Sequence, residues 1–282
     1  MMNVVSQVFW PAMQNWQSVD WPEYVGDDWA RHLLDAKLTD RLHVKQGRDI
    51  ARWTIRRSGS ELVTFVKRHY RHSCWRRVLA ALAPRRGVSD AAREWRSLDT
   101  AKRLGIPTPR PIACAELRAG TQLRSAIVLE ELTGMIPLHQ AIPFAAKRLS
   151  PRSFERWKRG LIAEMVRLVH LLHDGCHFHR DLYLCHFYVR EADVESMPAD
   201  WRDRVVMIDF HRLTSRKLLP FAAKVKDLAQ LLYSSDIPGL GTRDVVRFWR
   251  LYCRDERMPW LAWAIQLKAR RYRSHNAKRG AA

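Results

Sequence analysis

His179-Arg180-Asp181-Leu182-Tyr183-Leu184-Cys185-His186-Phe187 is the stretch on which the reading of this chain turns. An H-R-D triplet is followed, after four intervening residues, by a side chain able to ligate a metal. That spacing belongs to a phosphoryl-transfer catalytic loop of the protein-kinase type. In such a loop the Asp orients the attacking hydroxyl and accepts its proton, which assigns that role to Asp181. His186 stands in the slot where protein kinases carry a magnesium-binding Asn. The triplet alone is a weak signal. Its weight comes from what precedes and follows it.

Phosphoryl transfer from ATP asks for positioning and charge stabilisation rather than covalent work by the protein. Four roles must be filled, and the chain offers a residue for each in the required order. Lys67 ends the strand pattern Val63-Thr64-Phe65-Val66 and can point inward to the α/β-phosphates. Glu94, on the next helical pattern, can pair with it. Asp181 is the base. Asp209 ends the apolar run Val205-Val206-Met207-Ile208, where a carboxylate is costly unless it meets a cation or a donor. That makes it the main Mg²⁺ ligand. His186 is a second metal candidate, although imidazole is softer than Mg²⁺ prefers. Arg180 is expected to pair with a nearby carboxylate and fix the loop. Glu130 and Leu132, at the end of Ile127-Val128-Leu129-Glu130-Glu131-Leu132, join Lys67 and Glu94 as cofactor-binding candidates. Asp227, read as lying at the start of a helix, is expected to hold the catalytic loop from below.

A zinc site built from His170, His173, His177, His179 and His186 is disfavoured. Gly175 interrupts the helix between His173 and His177, and no H-E-x-x-H pattern occurs. The five cysteines are scattered and odd in number, with no C-x-x-C, which points to reduced thiols in a cytoplasmic protein. No apolar run approaches the roughly 20 residues of a transmembrane helix, and Met1 to Trp10 lacks the pattern of a signal peptide. The net charge of +20 calls for an anionic partner: nucleic acid, an anionic membrane surface or a polyanionic substrate.

Residues 1–38, rich in Trp and acidic residues, read as an N-terminal extension. Residues 39–132 read as a β-rich lobe. Strands run from Leu42 to Tyr70 around a Ser58-Gly59-Ser60 turn, and Gly47 sits in either a hairpin turn or a phosphate-covering loop. Trp75, Val78, Leu79 and Leu82 predict an amphipathic helix over 73–83, flanked by Arg76, Arg77, Arg85 and Arg86 and suited to rest on an anionic membrane. A second helix starts at Ser89-Asp90 and ends at Gly105. Residues 133–265 read as a helical lobe. Phe154, Trp157, Leu161, Met165, Leu168 and Leu172 predict a long core-facing helix ended by Gly175. Helices follow over 224–234 and 243–253, the latter capped by Thr242. Residues 266–282 form a basic tail.

The C-H-F ending of the catalytic loop resembles that of the bacterial lipopolysaccharide core heptose kinases, the Kdo/WaaP kinase family. So do Phe65-Val66-Lys67, Arg93-Glu94-Trp95, Ile208-Asp209-Phe210-His211-Arg212, Lys226-Asp227-Leu228 and the stretch from Ser234 to Tyr252. The resemblance covers roughly residues 40 to 255. It implies a protein-kinase-like α+β fold with a small β-rich N-lobe and a larger helical C-lobe. It also implies ATP and Mg²⁺ as cofactors, with transfer of the γ-phosphate to a sugar hydroxyl of the inner core. On this resemblance Lys67 meets the ATP phosphates, Glu94 supports it, Asp181 is the base and Asp209 holds the metal, and His186 follows the family's own pattern. Tyr183 stands where Ser/Thr protein kinases carry a Lys, and Asp209 is followed by Phe-His rather than Phe-Gly; both argue against a protein substrate.

The expected function is therefore phosphorylation of a sugar, heptose first, on the inner-core glycolipid, by a cytoplasmic protein held peripherally at the inner face of the cytoplasmic membrane. The alternatives are a kinase for Kdo or for a small sugar or amino alcohol, and a non-catalytic kinase-like adaptor that binds anionic lipid. Nucleic acid is not an expected partner, because no reader motif accompanies the basic residues.

Overall fold

The computed structural model describes residues 6–10, 13–17, 21, 25, 28–35, 41–45, 47–57, 60–70, 89–119, 122–254 and 256–280. The helix expected over 73–83 lies outside them. Two compact units result, one of residues 1–100 and 109–132, the other of 101–108 and 133–282.

The first unit is built on a seven-stranded antiparallel sheet. Its strands are β1 (Ser6–Trp10), β2 (Met13–Gln17), β3 (Arg41–Lys45), β4 (Arg48–Arg57), β5 (Ser60–His69), β6 (Pro111–Ala119) and β7 (Gln122–Glu130), in the order β1-β2-β6-β7-β5-β4-β3. β4 and β5 pair without a slip from Arg48↔His69 to Arg57↔Ser60, as the Ser58-Gly59-Ser60 turn signal requires. Gly47 takes a positive φ of 82° at the β3–β4 connection, where a side chain would be strained.

Side chains alternate between the two faces of a strand, and the faces here have different work. One face carries Ala51, Ile55, Val66, Ala126 and Val128 and is covered by helix α1 (Trp29–Asp35) together with Trp21. Trp21 meets Trp29 and Trp53 edge-on, with ring centroids 6.0 and 6.1 Å apart. Arg124 on β7 ties α1 down through Leu34 O and an ion pair of 2.8 Å with Asp35. Residues 1–38, expected as an N-terminal extension, supply two strands of the sheet and, through Trp21, Trp29, Leu33 and Leu34, much of its core. The opposite face carries Lys67.

Helix α2 (Asp90–Arg103) is the next element. Ser89 caps it, its Oγ accepting from Ala92 N at 3.1 Å, while the buried Glu116 carboxylate accepts from Ser89 N at 3.0 Å. The cap fixes the start of the helix on β6, and so fixes the position of Glu94.

In the second unit, β8 (Met135–Pro137), β10 (Phe187–Arg190) and β11 (Val206–Met207) form one small sheet, and β9 (His177–Phe178) pairs with β12 (Thr214–Ser215). Its helices are α3 (Leu138–Arg148), α4 (Pro151–Asp174), α5 (Ala192–Ser196), α6 (Pro220–Ser234), α7 (Thr242–Tyr252) and α8 (Pro259–Gly280). α4 has Ser150 as its cap and Pro151 in its first turn, and Gly175 ends it. Trp157, Leu161, Met165, Leu168 and Leu172 are buried along it, as their spacing predicts. α7 begins at Thr242, but Gly241 is its cap, and the Asp244 carboxylate turns back to accept from Gly241 N at 3.1 Å. Asp244 also pairs with the buried Lys158 of α4 at 2.7 Å. α6 begins at Pro220, so Asp227 lies in its second turn rather than at its start. α8 continues through the segment expected as a tail. Cys114, Cys176, Cys185 and Cys253 are free thiols.

Gly160, in the middle of α4, lies beneath Trp201. A Cβ there would fall 2.1 Å from Trp201 Cδ1, and Trp201 itself packs edge-on against Trp157 at 5.5 Å. Ala is ordinarily the better helix residue by about 1 kcal/mol. Gly160→Ala should nevertheless destabilise the protein, because Trp201 must move; overpacking of this kind costs about 1–3 kcal/mol. Urea denaturation of the two proteins measures it, and a more stable Ala variant would contradict the packing described.

Candidate active site

The H-R-D loop leaves β9 and returns through a 3₁₀ turn, Leu184–His186, into β10. One helix face holds it. Asp227, Gln230 and Ser234 recur at i, i+3 and i+7 along α6 and so share a side. Asp227, fully buried, accepts from His179 N at 2.8 Å and from Arg180 N at 2.7 Å. Gln230 Oε1 accepts from Leu182 N at 3.2 Å, and Ser234 Oγ from Leu184 N at 2.8 Å. Lys226 Nζ donates to Arg180 O at 2.5 Å. Held in this way, Arg180 adopts φ 64°, a left-handed conformation that costs a non-glycine residue about 1–3 kcal/mol.

Asp227 is itself supported. His173 places Nε2 3.4 Å from Asp227 Oδ2 and Nδ1 2.8 Å from Tyr252 OH. Burial pushes the His173 pKa down against the pull of Asp227, so the ring is neutral. The arrangement that suits all three groups has Tyr252 donating to Nδ1 and Nε2–H donating to the carboxylate.

Asp209 is brought to the loop by pairing. β10 and β11 are in register at Phe187↔Met207, and β9 and β12 at Phe178↔Thr214. Ile208 N donates to His186 O at 3.0 Å, and the buried His179 ring donates from Nε2 to Ile208 O at 3.0 Å. Asp209 also adopts a positive φ, 65°. One of its oxygens lies 2.6 Å from His211 Nδ1 and the other 3.8 Å from His186 Nε2.

Asp181, His186 and Asp209 therefore converge, with a ligand atom from each within 4.8 Å of the other two. His186 Nδ1 donates to Asp181 O at 2.7 Å, which turns Nε2 toward Asp209. Burial opposes a charge on His186. The Cys185 thiol, the Asp181 carbonyl and the Asp209 carboxylate outweigh it and raise the pKa to about 9. The Asp181 carboxylate is approached by Gln230 Nε2 at 3.5 Å and by Arg212 at 3.6 Å.

In the first unit, Lys67 Nζ and Glu94 Oε1 are 2.6 Å apart, with Glu94 almost wholly buried. Lys67 sits mid-sheet, opposite Ile50 on β4 and Ile127 on β7. Glu130 pairs with Arg110 at 2.8 Å, and Leu132 is half-buried just beyond β7. The carboxylate pair expected for Arg180 is not formed among the described residues. The loop is anchored through the Arg180 backbone, and the arginine that reaches Asp181 is Arg212. Lys226, Gln230, His179 and Arg212 are contributors that the sequence reading passed over. Lys226 and Arg212 lie inside segments it quoted, but nothing local reveals which way they point.

The sequence profile of the Lipopolysaccharide kinase (Kdo/WaaP) family matches residues 40–252. This chain belongs to that family. It is a kinase, an ATP-dependent phosphotransferase. Lipopolysaccharide core heptose(I) kinase WaaP of Escherichia coli K12 is 31% identical over 205 residues, which span 71% of this chain and 74% of the relative. The protein of the same name from Pseudomonas aeruginosa is 33% identical over 168 residues, 59% of this chain and 60% of that one. The solved structure of WaaP in complex with acyl carrier protein superposes with a TM-score of 0.65 at 28% identity, covering 90% of this chain and 96% of that one. The fold is the protein-kinase-like one that the family resemblance implies. No helix among the described residues is long and apolar enough to cross a membrane.

The raised His186 pKa has a definite sign. A group with a folded pKa above its unfolded value of 6.5 stabilises the protein fully below that value, and the contribution is lost as pH rises through about 9. In protein freed of divalent metal, the stability difference between wild type and His186→Gln should shrink between pH 6.5 and pH 9. Denaturant melts across that range check it; a difference independent of pH would contradict the imidazolium.

Proposed function

We propose that this kinase transfers the γ-phosphate of ATP to a heptose hydroxyl in the lipopolysaccharide inner core. The observation that carries the reading is the convergence of Asp181, His186 and Asp209 on a loop held by Asp227. The heptose comes from the names of the relatives.

Asp181 orients the acceptor hydroxyl and takes its proton. Its backbone is fixed on both sides, so the carboxylate is aimed before substrate arrives. Protein kinases place a lysine two residues after this Asp; here that position is Tyr183. Arg212 and Lys226 bring positive charge to the same place from other elements, and Arg212 is assigned to the transferred phosphoryl group. Lys67, held by Glu94, is assigned to the α/β-phosphates, with Glu130 and Leu132 at the end of β7 as further nucleotide contacts. The donor set at Asp209 fits Mg²⁺, a hard cation that prefers carboxylate oxygen. His186 offers Nε2 beside it, once that nitrogen gives up its proton. Bound there, Mg²⁺ would supply positive charge to offset the negative charge that develops on the transferred phosphoryl group.

The net charge of +20 and a lipid-anchored acceptor support a peripheral position on the inner face of the cytoplasmic membrane. An acyl carrier protein is a further candidate partner, because the solved relative was captured with one. The second unit holds an apolar cavity of about 260 Å³ lined by Leu161, Met165, Leu228, Leu231, Phe248 and Trp249, of the chemistry an acyl chain needs.

With purified protein, ATP, Mg²⁺ and heptose-containing core oligosaccharide, Asp181→Ala should lower turnover by about 10²–10⁴-fold while nucleotide still binds. Wild-type turnover by that variant would reject the base. Asp209→Asn should weaken nucleotide binding in Mg²⁺ and leave it little changed in EDTA, since a charged hard ligand becomes neutral. Nucleotide titrations in the two buffers decide it, and an unchanged metal dependence removes Asp209 from the site.

A further inference from the structure

Between β12 and the second turn of α6 the chain reads Arg216-Lys217-Leu218-Leu219-Pro220-Phe221-Ala222-Ala223-Lys224. Leu218 is 86% exposed, Leu219 84% and Phe221 53%. Large apolar side chains so close together in sequence are not ordinarily left in water. Leu219 also adopts φ 55°, a conformation that is an outlier for a bulky side chain. The flanks carry one sign of charge. From His211 to Lys226 the charged side chains are Arg212, Arg216, Lys217, Lys224 and Lys226, with no Asp or Glu among them.

We propose that this loop is a membrane-docking element, with Leu218, Leu219 and Phe221 entering an anionic bilayer while Arg216, Lys217 and Lys224 meet its headgroups. The proposal rests on the reading of the acceptor as a glycolipid and names the surface that reaches it. Apolar tips ringed by basic side chains complement an interface whose depth is hydrocarbon and whose surface is negative. The loop is also joined to the catalytic machinery. β12 pairs with β9 immediately before the H-R-D triplet, Arg216 N donates to Cys176 O at 2.9 Å, and Lys226 reaches Arg180 O. A bilayer held at residues 218–221 is thereby linked, through β12 on one side and α6 on the other, to the loop that carries Asp181. That is where a sugar at the end of a lipid anchor has to be presented.

The test uses the full chain and two variants, Leu218→Ser/Leu219→Ser/Phe221→Ser and Arg216→Gln/Lys217→Gln/Lys224→Gln. All six side chains lie outside the catalytic machinery, and thermal melts of the variants should match wild type. Co-sedimentation with phosphatidylethanolamine–phosphatidylglycerol vesicles should show wild-type binding that falls with salt. The Ser variant should bind at least about tenfold more weakly. The Gln variant should bind more weakly and lose much of the salt dependence. With the acylated acceptor, the Ser variant should show a KM raised about tenfold, with kinetics on delipidated core oligosaccharide unchanged.

The proposal is overturned if the Ser variant binds vesicles as wild type does, if wild type does not bind them, or if both acceptors suffer equally. It is also overturned if sedimentation equilibrium shows that the Ser substitutions abolish self-association and leave vesicle binding intact, which would give the surface to a second copy of the chain. Vesicle binding without phosphorylation of either acceptor would reject the proposed reaction and leave the docking loop standing. Phosphorylation of delipidated core together with undiminished vesicle binding by the Ser variant would do the reverse.

Discussion

A single buried carboxylate organises the catalytic half of this protein. Asp227 takes the backbone N–H groups of His179 and Arg180, one on each oxygen, and is itself met by His173. A carboxylate with no solvent exposure is tolerable only when donors surround it. Those donors are the backbone of the loop that must be held still. The same hydrogen bonds therefore offset both the cost of burying Asp227 and the cost of the left-handed Arg180. What results is an Asp181 whose main chain is fixed by α6 and whose side chain is left to face a substrate.

The second constraint is electrostatic. His186 carries its proton at neutral pH because a carbonyl, a thiol and the Asp209 carboxylate together outweigh its burial. This imidazolium lies 3.8 Å from one Asp209 oxygen, while the His211 ring meets the other at 2.6 Å. A cation bound at the same carboxylate, as proposed for Mg²⁺, would compete with this charge, and its affinity would then be coupled to the protonation of His186. An Asn in that position would couple nothing. The difference is a property of the C-H-F ending rather than of the kinase fold.

Much of this was legible in the sequence, because catalytic roles need particular residue types at particular distances along the chain. Asp181, His186 and Asp209 lie on a loop and at a strand end, and Lys67 and Glu94 lie on the strand and helix that local patterns marked. What was not legible depends on which way a side chain points after folding. Arg180 looked like the partner of a carboxylate, yet its backbone does the anchoring and Arg212 reaches Asp181. Gln230 and Ser234 share a side with Asp227 on the helix expected over 224–234, but nothing local shows that this side meets the catalytic loop. The Trp-rich beginning of the chain read as an N-terminal extension, with nothing to say where it packs. Its aromatic residues fill the core against a sheet in which β2 pairs with a strand about a hundred residues away, a pairing that no short window reveals.

The central claim is that the cluster around Asp181 phosphorylates an inner-core heptose. Mass spectrometry of core oligosaccharide from cells lacking this gene tests it most directly, with the wild-type gene or the Asp181→Ala gene returned. The account predicts that one phosphate disappears from a heptose in the deletion strain, returns with the wild-type gene and does not return with Asp181→Ala. An unchanged phosphate in the deletion strain, or restoration by Asp181→Ala, would contradict it.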